Sequence, residues 1–207
     1  ISMETFMTSN HLTRRKVLGG IAAGVAMAMS SPAMALSTSE ARKLIDSAVG
    51  EITAVINSGK SESGMYADFE RIFRKYADVP TISRSALGPP ARSASSSQLN
   101  RFGDAFTGYL ARKYGGQFRD FIGGEVTVTD ARQVKSFQQV QAVASLRGQP
   151  PFRVSFMLSD RSGSAKFFDL LVEGVSLLKT ERGEIGAMLD ASGGSIDRLI
   201  QRLEATS

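Results

Sequence analysis

Two carboxylates four residues apart, Asp169 and Glu173, stand inside the oily stretch KFFDLLVEGVSLL from Lys166 to Leu178, which Gly174 interrupts. With Asp120 and Tyr109 they are the side chains whose types could serve as general acid and base. Spacing argues against the pair. On a strand, four residues at about 3.3 Å each set their Cα atoms roughly 13 Å apart, beyond the roughly 5 to 9.5 Å that paired carboxylates span in glycoside hydrolysis. Structural roles fit better: ion pairs, acceptance of backbone N–H groups, and a bulge at Gly174.

Absent residue types exclude more chemistry than present ones permit. The chain has no cysteine, and its single histidine, His11, falls in the N-terminal leader described next. Beyond the leader there is accordingly no Ser-His-Asp or Cys-His mechanism, no zinc site of imidazole or thiolate, no haem on His or Cys, and no disulfide. No cofactor or metal is expected.

Residues 1–35 read as a cleaved export signal. Thr13-Arg14-Arg15-Lys16-Val17-Leu18 is a twin-arginine pattern, Val17 to Met29 is apolar and small, and Ala33-Met34-Ala35 is an A-x-A cleavage site. A paired arginine also suits an ordinary secretory signal, so the export route stays open. The apolar run is shorter than the about 20 residues a membrane span needs. Cleavage after Ala35 leaves 172 residues over 36–207, a size suited to one domain. Removing Arg14, Arg15, Lys16 and Glu4 lowers the formal charge from +5 to +3. This mild surplus favours anionic membranes or acidic partners, and no dense basic block marks a nucleic-acid binder.

The elements that would position these groups follow from hydrophobic period. Ser37-Thr38-Ser39-Glu40 has the form of a capping box, and apolar residues then recur at helical spacing from Ala41 to Ile56, ending at Gly59. A second helix runs from about Glu62 to Tyr76. Thr81 is the expected cap of a further turn or two, stopped by Gly88-Pro89-Pro90. Another helix spans about Ser97 to Tyr114, until Gly115-Gly116 interrupts it.

From Gly123-Gly124 onward the period becomes two. Val126 and Val128, then Val140, Ala142 and Ala144, then Phe152, Val154, Phe156 and Leu158 alternate with polar neighbours, and the opening stretch returns across the turn Asp160-Arg161-Ser162-Gly163. Four strands joined by short loops predict an antiparallel meander. Two helices close the chain, at about 177–189 and after Gly193-Gly194-Ser195.

On the return strand Phe168, Leu170 and Val172 share one side, while Phe167, Asp169, Leu171 and Glu173 share the other. The first side, beside Phe152, Val154, Phe156 and Leu158, makes a continuous apolar floor. A helical stripe of Phe102, Phe106 and Tyr109 reads, on its own, as ordinary core. Arg71, Arg74, Lys75, Arg112, Lys113 and Arg119 fall on helical polar faces, as docking groups for anionic head groups or as a plain solvated surface.

The segment Phe168-Asp169-Leu170-Leu171-Val172-Glu173-Gly174-Val175-Ser176-Leu177 resembles the signature of the toluene-tolerance, MlaC-like family of periplasmic proteins. Arg101-Phe102, Phe106, Tyr109-Leu110 and Tyr114 are similar to that family's aromatic helix, and the element order agrees from about Ser37 to Ala205. Two positions depart: Ala165 stands where the family commonly has tryptophan, and Phe168 where it has tyrosine.

This resemblance implies an α+β fold, a twisted four-stranded antiparallel sheet packed with helices around an apolar lipid cavity. It implies no enzyme, but a soluble periplasmic carrier in a Gram-negative bacterium that shuttles phospholipid between outer and inner membranes. The implied partners are phospholipid as cargo, an inner-membrane ABC transporter with an MCE-domain subunit, an outer-membrane lipoprotein complex, and transient membrane contact. The lining it implies comprises Phe102, Phe106, Tyr109, Leu110, Phe121, Phe152, Val154, Phe156, Phe168, Leu170, Val172 and Val175. Burial of about 0.8 kcal/mol per CH₂ favours the cavity over water but not over a bilayer, so oily walls without polar hooks suffice. Alternatives are a hopanoid or other apolar cargo, a small α+β enzyme, and a ligandless envelope adaptor.

Overall fold

The computed structural model describes residues 36–206, with the side chains of 118–120 excepted. The export signal expected over residues 1–35 lies outside them.

Among the described residues six α-helices and one sheet follow in the order expected. Helix α1 (Thr38–Ile56) begins on the predicted capping box: Ser37 accepts from the Glu40 N–H, and the Glu40 carboxylate accepts from the Ser37 N–H. Helix α2 (Glu62–Tyr76) buries Met65, Phe69, Ile72 and Tyr76 on one stripe. Helix α3 (Val79–Leu87) starts earlier than expected. Asp78, not Thr81, is its cap, with Oδ1 accepting from the Thr81 N–H, and Pro80 stands in its first turn where no N–H is missed.

Helix α4 (Ser96–Gly115) carries the aromatic stripe. Gly115 belongs to the helix and does not break it; only a glycine fits there, since the Tyr66 ring of α2 lies where a Cβ at 115 would stand. A short 3₁₀ segment (Gly116–Phe121) leads to the sheet.

The sheet is a meander in chain order: β1 (Glu125–Val134), β2 (Phe137–Ser145), β3 (Phe152–Ser159), β4 (Lys166–Val172) and β5 (Val175–Ser176), all antiparallel. The expected four strands are present, and a two-residue fifth is added. Glu173 and Gly174 make the β4–β5 turn with φ of 48° and 84°, the positive pair that a two-residue hairpin requires. Gly174 is therefore in a turn, not at a bulge. The bulge lies instead at Phe168: Met157 pairs with Asp169 and Leu158 with Phe167, leaving Phe168 unpaired between them. Helices α5 (Leu177–Ala191) and α6 (Ile196–Ala205) complete the fold.

Buried residues form three clusters. One joins α3, α4, α5 and α6 around Phe102, Phe106, Ile185 and Leu199. A second packs α1, through Ala41 and Ile45, on the inner face of β1 to β3. The third lies between α1 and α2 and includes Ala111 of α4. Phe167 packs against all three.

Candidate functional site

Between these clusters lies a cavity of about 610 Å³. The sheet supplies one wall through Ala144, Val154, Phe156 and Leu170; α1, α2, α4 and the first turns of α5 supply most of the others, with Ile82 of α3 and Phe121 of the 3₁₀ segment. Its geometry follows from strand register. Val154 pairs with Val172 and Phe156 with Leu170, so apolar side chains of adjacent strands stand side by side on one face.

Nine of the twelve residues expected in the lining are there: Phe106, Leu110, Phe121, Phe152, Val154, Phe156, Phe168, Leu170 and Val172. Three are elsewhere. Phe102 is fully buried, stacked on Phe106 at 5.6 Å between centroids, within the helical cluster. Tyr109 belongs to the same cluster and directs its hydroxyl to Glu184 Oε2 at 3.0 Å. Val175 is 61 % exposed: it stands opposite Val172 on the two-residue β5 at the edge of the sheet, with no further strand beside it.

Phe167 was expected on the other, mixed side of β4 with Asp169 and Glu173, yet it lines the cavity. The bulge at Phe168 resets the alternation, so Phe167 and Leu170 fall on the same face. The ring of Phe167 meets Phe73 of α2 at 5.8 Å and Phe156 of β3 at 6.0 Å, both edge-on. Its carbonyl accepts from the Asp78 N–H at 2.8 Å, which ties the α2–α3 junction to the sheet. No period-two pattern reveals such a residue. Only the adjacent pair Phe167-Phe168 hints that one of the two must leave the alternation.

The acid–base candidates are occupied structurally. Asp169 Oδ1 accepts from the N–H groups of Leu170 (2.8 Å) and Leu178 (3.2 Å), and Oδ2 accepts from the Ser176 hydroxyl at 2.7 Å. It thereby fastens β4 to the start of α5, where charge-bearing acceptors are favoured. Glu173 accepts from the backbone N–H of Arg153, which holds its carboxyl below the usual range, and pairs with the Arg153 guanidinium at 3.2 Å. The Asp120 side chain lies outside those described.

One polar cluster reaches the wall. Glu181 of α5 is 3 % exposed. Its Oε1 accepts from Lys113 Nζ at 2.6 Å and from the Tyr114 hydroxyl, while Lys113 also reaches Glu184 Oε2 at 2.5 Å. Glu181 Oε2 is buried with no hydrogen-bond partner among the described residues. Burial works to lower the Lys113 pKa, but the hydrogen bonds to Glu181 and Glu184 outweigh it and hold the ammonium above the ordinary lysine range. Burial first, then the bond to Glu181, pushes the Tyr114 phenol up.

Other basic residues considered for head-group contact have intramolecular partners. Arg71 lies 3.5 Å from both Glu51 and Asp68, Arg74 pairs with Asp104 at 2.8 Å, and Lys75 pairs with Glu51. Arg112 donates to the Leu203 and Thr206 carbonyls at 2.7 and 2.6 Å, closing the C-terminal end of α6. The Arg119 side chain is outside those described.

Fold and site together define an α+β binding protein with an apolar cavity between sheet and helices. A family model for the MlaC protein matches residues 46–205, and the chain belongs to the MlaC family. A solved structure of a phospholipid-binding protein from Ralstonia solanacearum, in complex with a phospholipid, shares the fold at a TM-score of 0.68 and 19 % identity, covering 79 % of this chain and 94 % of that one. No helix among the described residues is long and apolar enough to cross a membrane, and no His, Cys, Asp and Glu group among them has the arrangement of a metal site.

Proposed function

We propose that this protein is a periplasmic phospholipid carrier, exported with cleavage of residues 1–35, that holds acyl hydrocarbon in the cavity described above. It moves lipid between outer and inner membranes as the soluble component of an ABC-type system, meeting an MCE-domain subunit at one end and an outer-membrane lipoprotein complex at the other. The observation that carries this reading is the apolar cavity of about 610 Å³ in a member of the MlaC family.

The physical chemistry supports it. Hydrocarbon in such a cavity avoids about 0.8 kcal/mol of hydration cost per CH₂ yet is held no more tightly than in a bilayer, so loading and unloading are both accessible. Asp169, which lines the cavity, and Glu173 are already bonded to backbone and side-chain donors that fix them in structural roles. The test is organic extraction of protein purified from its own cell envelope, followed by lipid mass spectrometry. Co-purifying phospholipid is the expected result; a hopanoid mass would change the cargo. Protein that is consistently empty, and takes up no labelled phospholipid from vesicles, would refute the carrier reading.

A further inference from the structure

The cavity opens at one end of the sheet. Among the described residues around it, three are exposed: Asn57 just past α1, Gln117 in the 3₁₀ segment, and Gln149 in the loop between β2 and β3. All three carry side-chain amides, so the rim can donate hydrogen bonds while the walls below it are apolar. Asn57 commits its amide to the Thr53 carbonyl at 2.9 Å.

The loop that carries Gln149 also carries Arg147. Its guanidinium lies over Gly123, with Nε and Nη2 each 2.8 Å from where a Cβ at 123 would stand, and the neighbouring Gly124 lines the cavity. Gly123 has a φ of 72°, a left-handed conformation that favours glycine, and its missing side chain leaves the space the guanidinium fills. The arginine is thereby set beside the opening. Among the described residues it has no ion-pair partner. By contrast Arg153, at the same end of the sheet, pairs with Glu173 at 3.2 Å, and Lys60, three residues past Asn57, pairs with Asp68 at 2.5 Å.

A guanidinium stays charged at any physiological pH, and its fork meets phosphate oxygens two at a time. A lipid whose chains lie in the cavity keeps its phosphate at the rim, because apolar walls would strip the hydration of a charge without replacing it.

We propose that Arg147 holds the phosphate of the bound lipid at this rim, with Gln149 and Gln117 donating to the remaining oxygens, and so selects phosphate-bearing lipids over phosphate-free lipids of the same chains. The proposal rests on the lipid-carrier reading above. Phosphate is common to all glycerophospholipids, so the contact reads the class of lipid and not the alcohol beyond the phosphate.

The experiment offers delipidated protein vesicles of dioleoyl phosphatidylglycerol doped with dioleoylglycerol, which has the same chains and no phosphate. Lipid bound to the re-isolated protein is identified by mass spectrometry, and the ratio of the two species is compared with their ratio in the vesicle. Wild type is expected to enrich the phospholipid, Arg147→Gln to lose about fivefold of that enrichment, and Arg147→Lys, which keeps the charge without the fork, to fall between. Raising the salt concentration should erode the wild-type enrichment and leave that of Arg147→Gln unmoved. Arg161→Gln, at the other end of the sheet, where Arg161 lies over the Phe137 ring at 5.0 Å, should enrich as wild type does. Undiminished enrichment by folded Arg147→Gln, an equal loss in Arg161→Gln, or a wild type that takes up both lipids without preference overturns the proposal while leaving lipid carriage standing. Uptake of neither lipid by wild type overturns the carrier reading as well.

Discussion

Lys113 Nζ lies 2.6 Å from Glu181 Oε1, a bond that joins the last turns of α4 to α5 across 68 residues of chain. Glu181 is buried, and Lys113 is its only cationic partner among the described residues. Lys113→Met would leave that carboxylate uncompensated, a change expected to cost about 3 kcal/mol. Lys113→Met with Glu181→Leu removes both charges and should recover most of the loss. Urea denaturation of wild type, single and double variants measures this; a single variant as stable as wild type would show that the pair does not hold the helices together.

Acidic and basic limits of stability follow from the shifted groups. Glu184, bonded to Lys113, and Glu51, bonded to Lys75, have folded values below the ordinary 4.5. A lowered folded pKa contributes stability above the unfolded value and loses it as pH falls through the folded one. Lys113 and Lys75 lie above the ordinary 10.5, and Tyr114 above 10.0; their contribution is complete below those values and fades as pH rises past them. The melting temperature should hold steady between about pH 5 and 9.5 and fall on both sides, as thermal melts across a pH series would record.

Asp169→Ala separates a structural carboxylate from a catalytic one. Its oxygens serve two N–H groups and one hydroxyl, and hydrogen bonds to a charged group contribute about 1.5 to 3 kcal/mol each at most, without adding fully. A loss of about 2 to 3 kcal/mol is expected, with lipid uptake intact well below the melting temperature. Uptake abolished in a variant that remains folded would mean that Asp169 touches the cargo.

Filling the cavity is the most direct challenge to its use. Ala144 lines it from β2 with 1 % exposure, between Val126 and Phe152 on the neighbouring strands. Ala144→Phe should place a ring in the empty space, change stability by under about 2 kcal/mol, and reduce lipid binding at least about tenfold. Equal binding by the variant, measured with a fluorescent phospholipid, would place the ligand elsewhere.

Period and capping chemistry made most elements legible. The capping box at Ser37 and Glu40 and the α2 stripe come from neighbours within one or two turns, and the strand alternation at Val154 and Phe156 is equally local. What stayed hidden depends on partners far along the chain. Nothing near Phe168 announces that Leu158 will pair with Phe167 and force a bulge, so the lining included one phenylalanine and missed its neighbour. Val175 reads as the strand's next apolar residue until the turn at Glu173 is seen to reverse it. Lys113 reads as a solvated helical charge because Glu181 is 68 positions away.

The edges of the sheet carry a further consequence. Among the described residues, beyond β4 stand only the two residues of β5 at one end and, at the other, the bridge from Ala77 to Phe167, while β1 on the opposite margin shifts register between Val128 and Asp130. Each margin is thus interrupted, β4's by β5 and the Ala77 bridge and β1's by its shift of register, the usual guards against another copy adding a strand. In a molecule that keeps an oily hollow, such interruptions work against strand-on-strand association between copies.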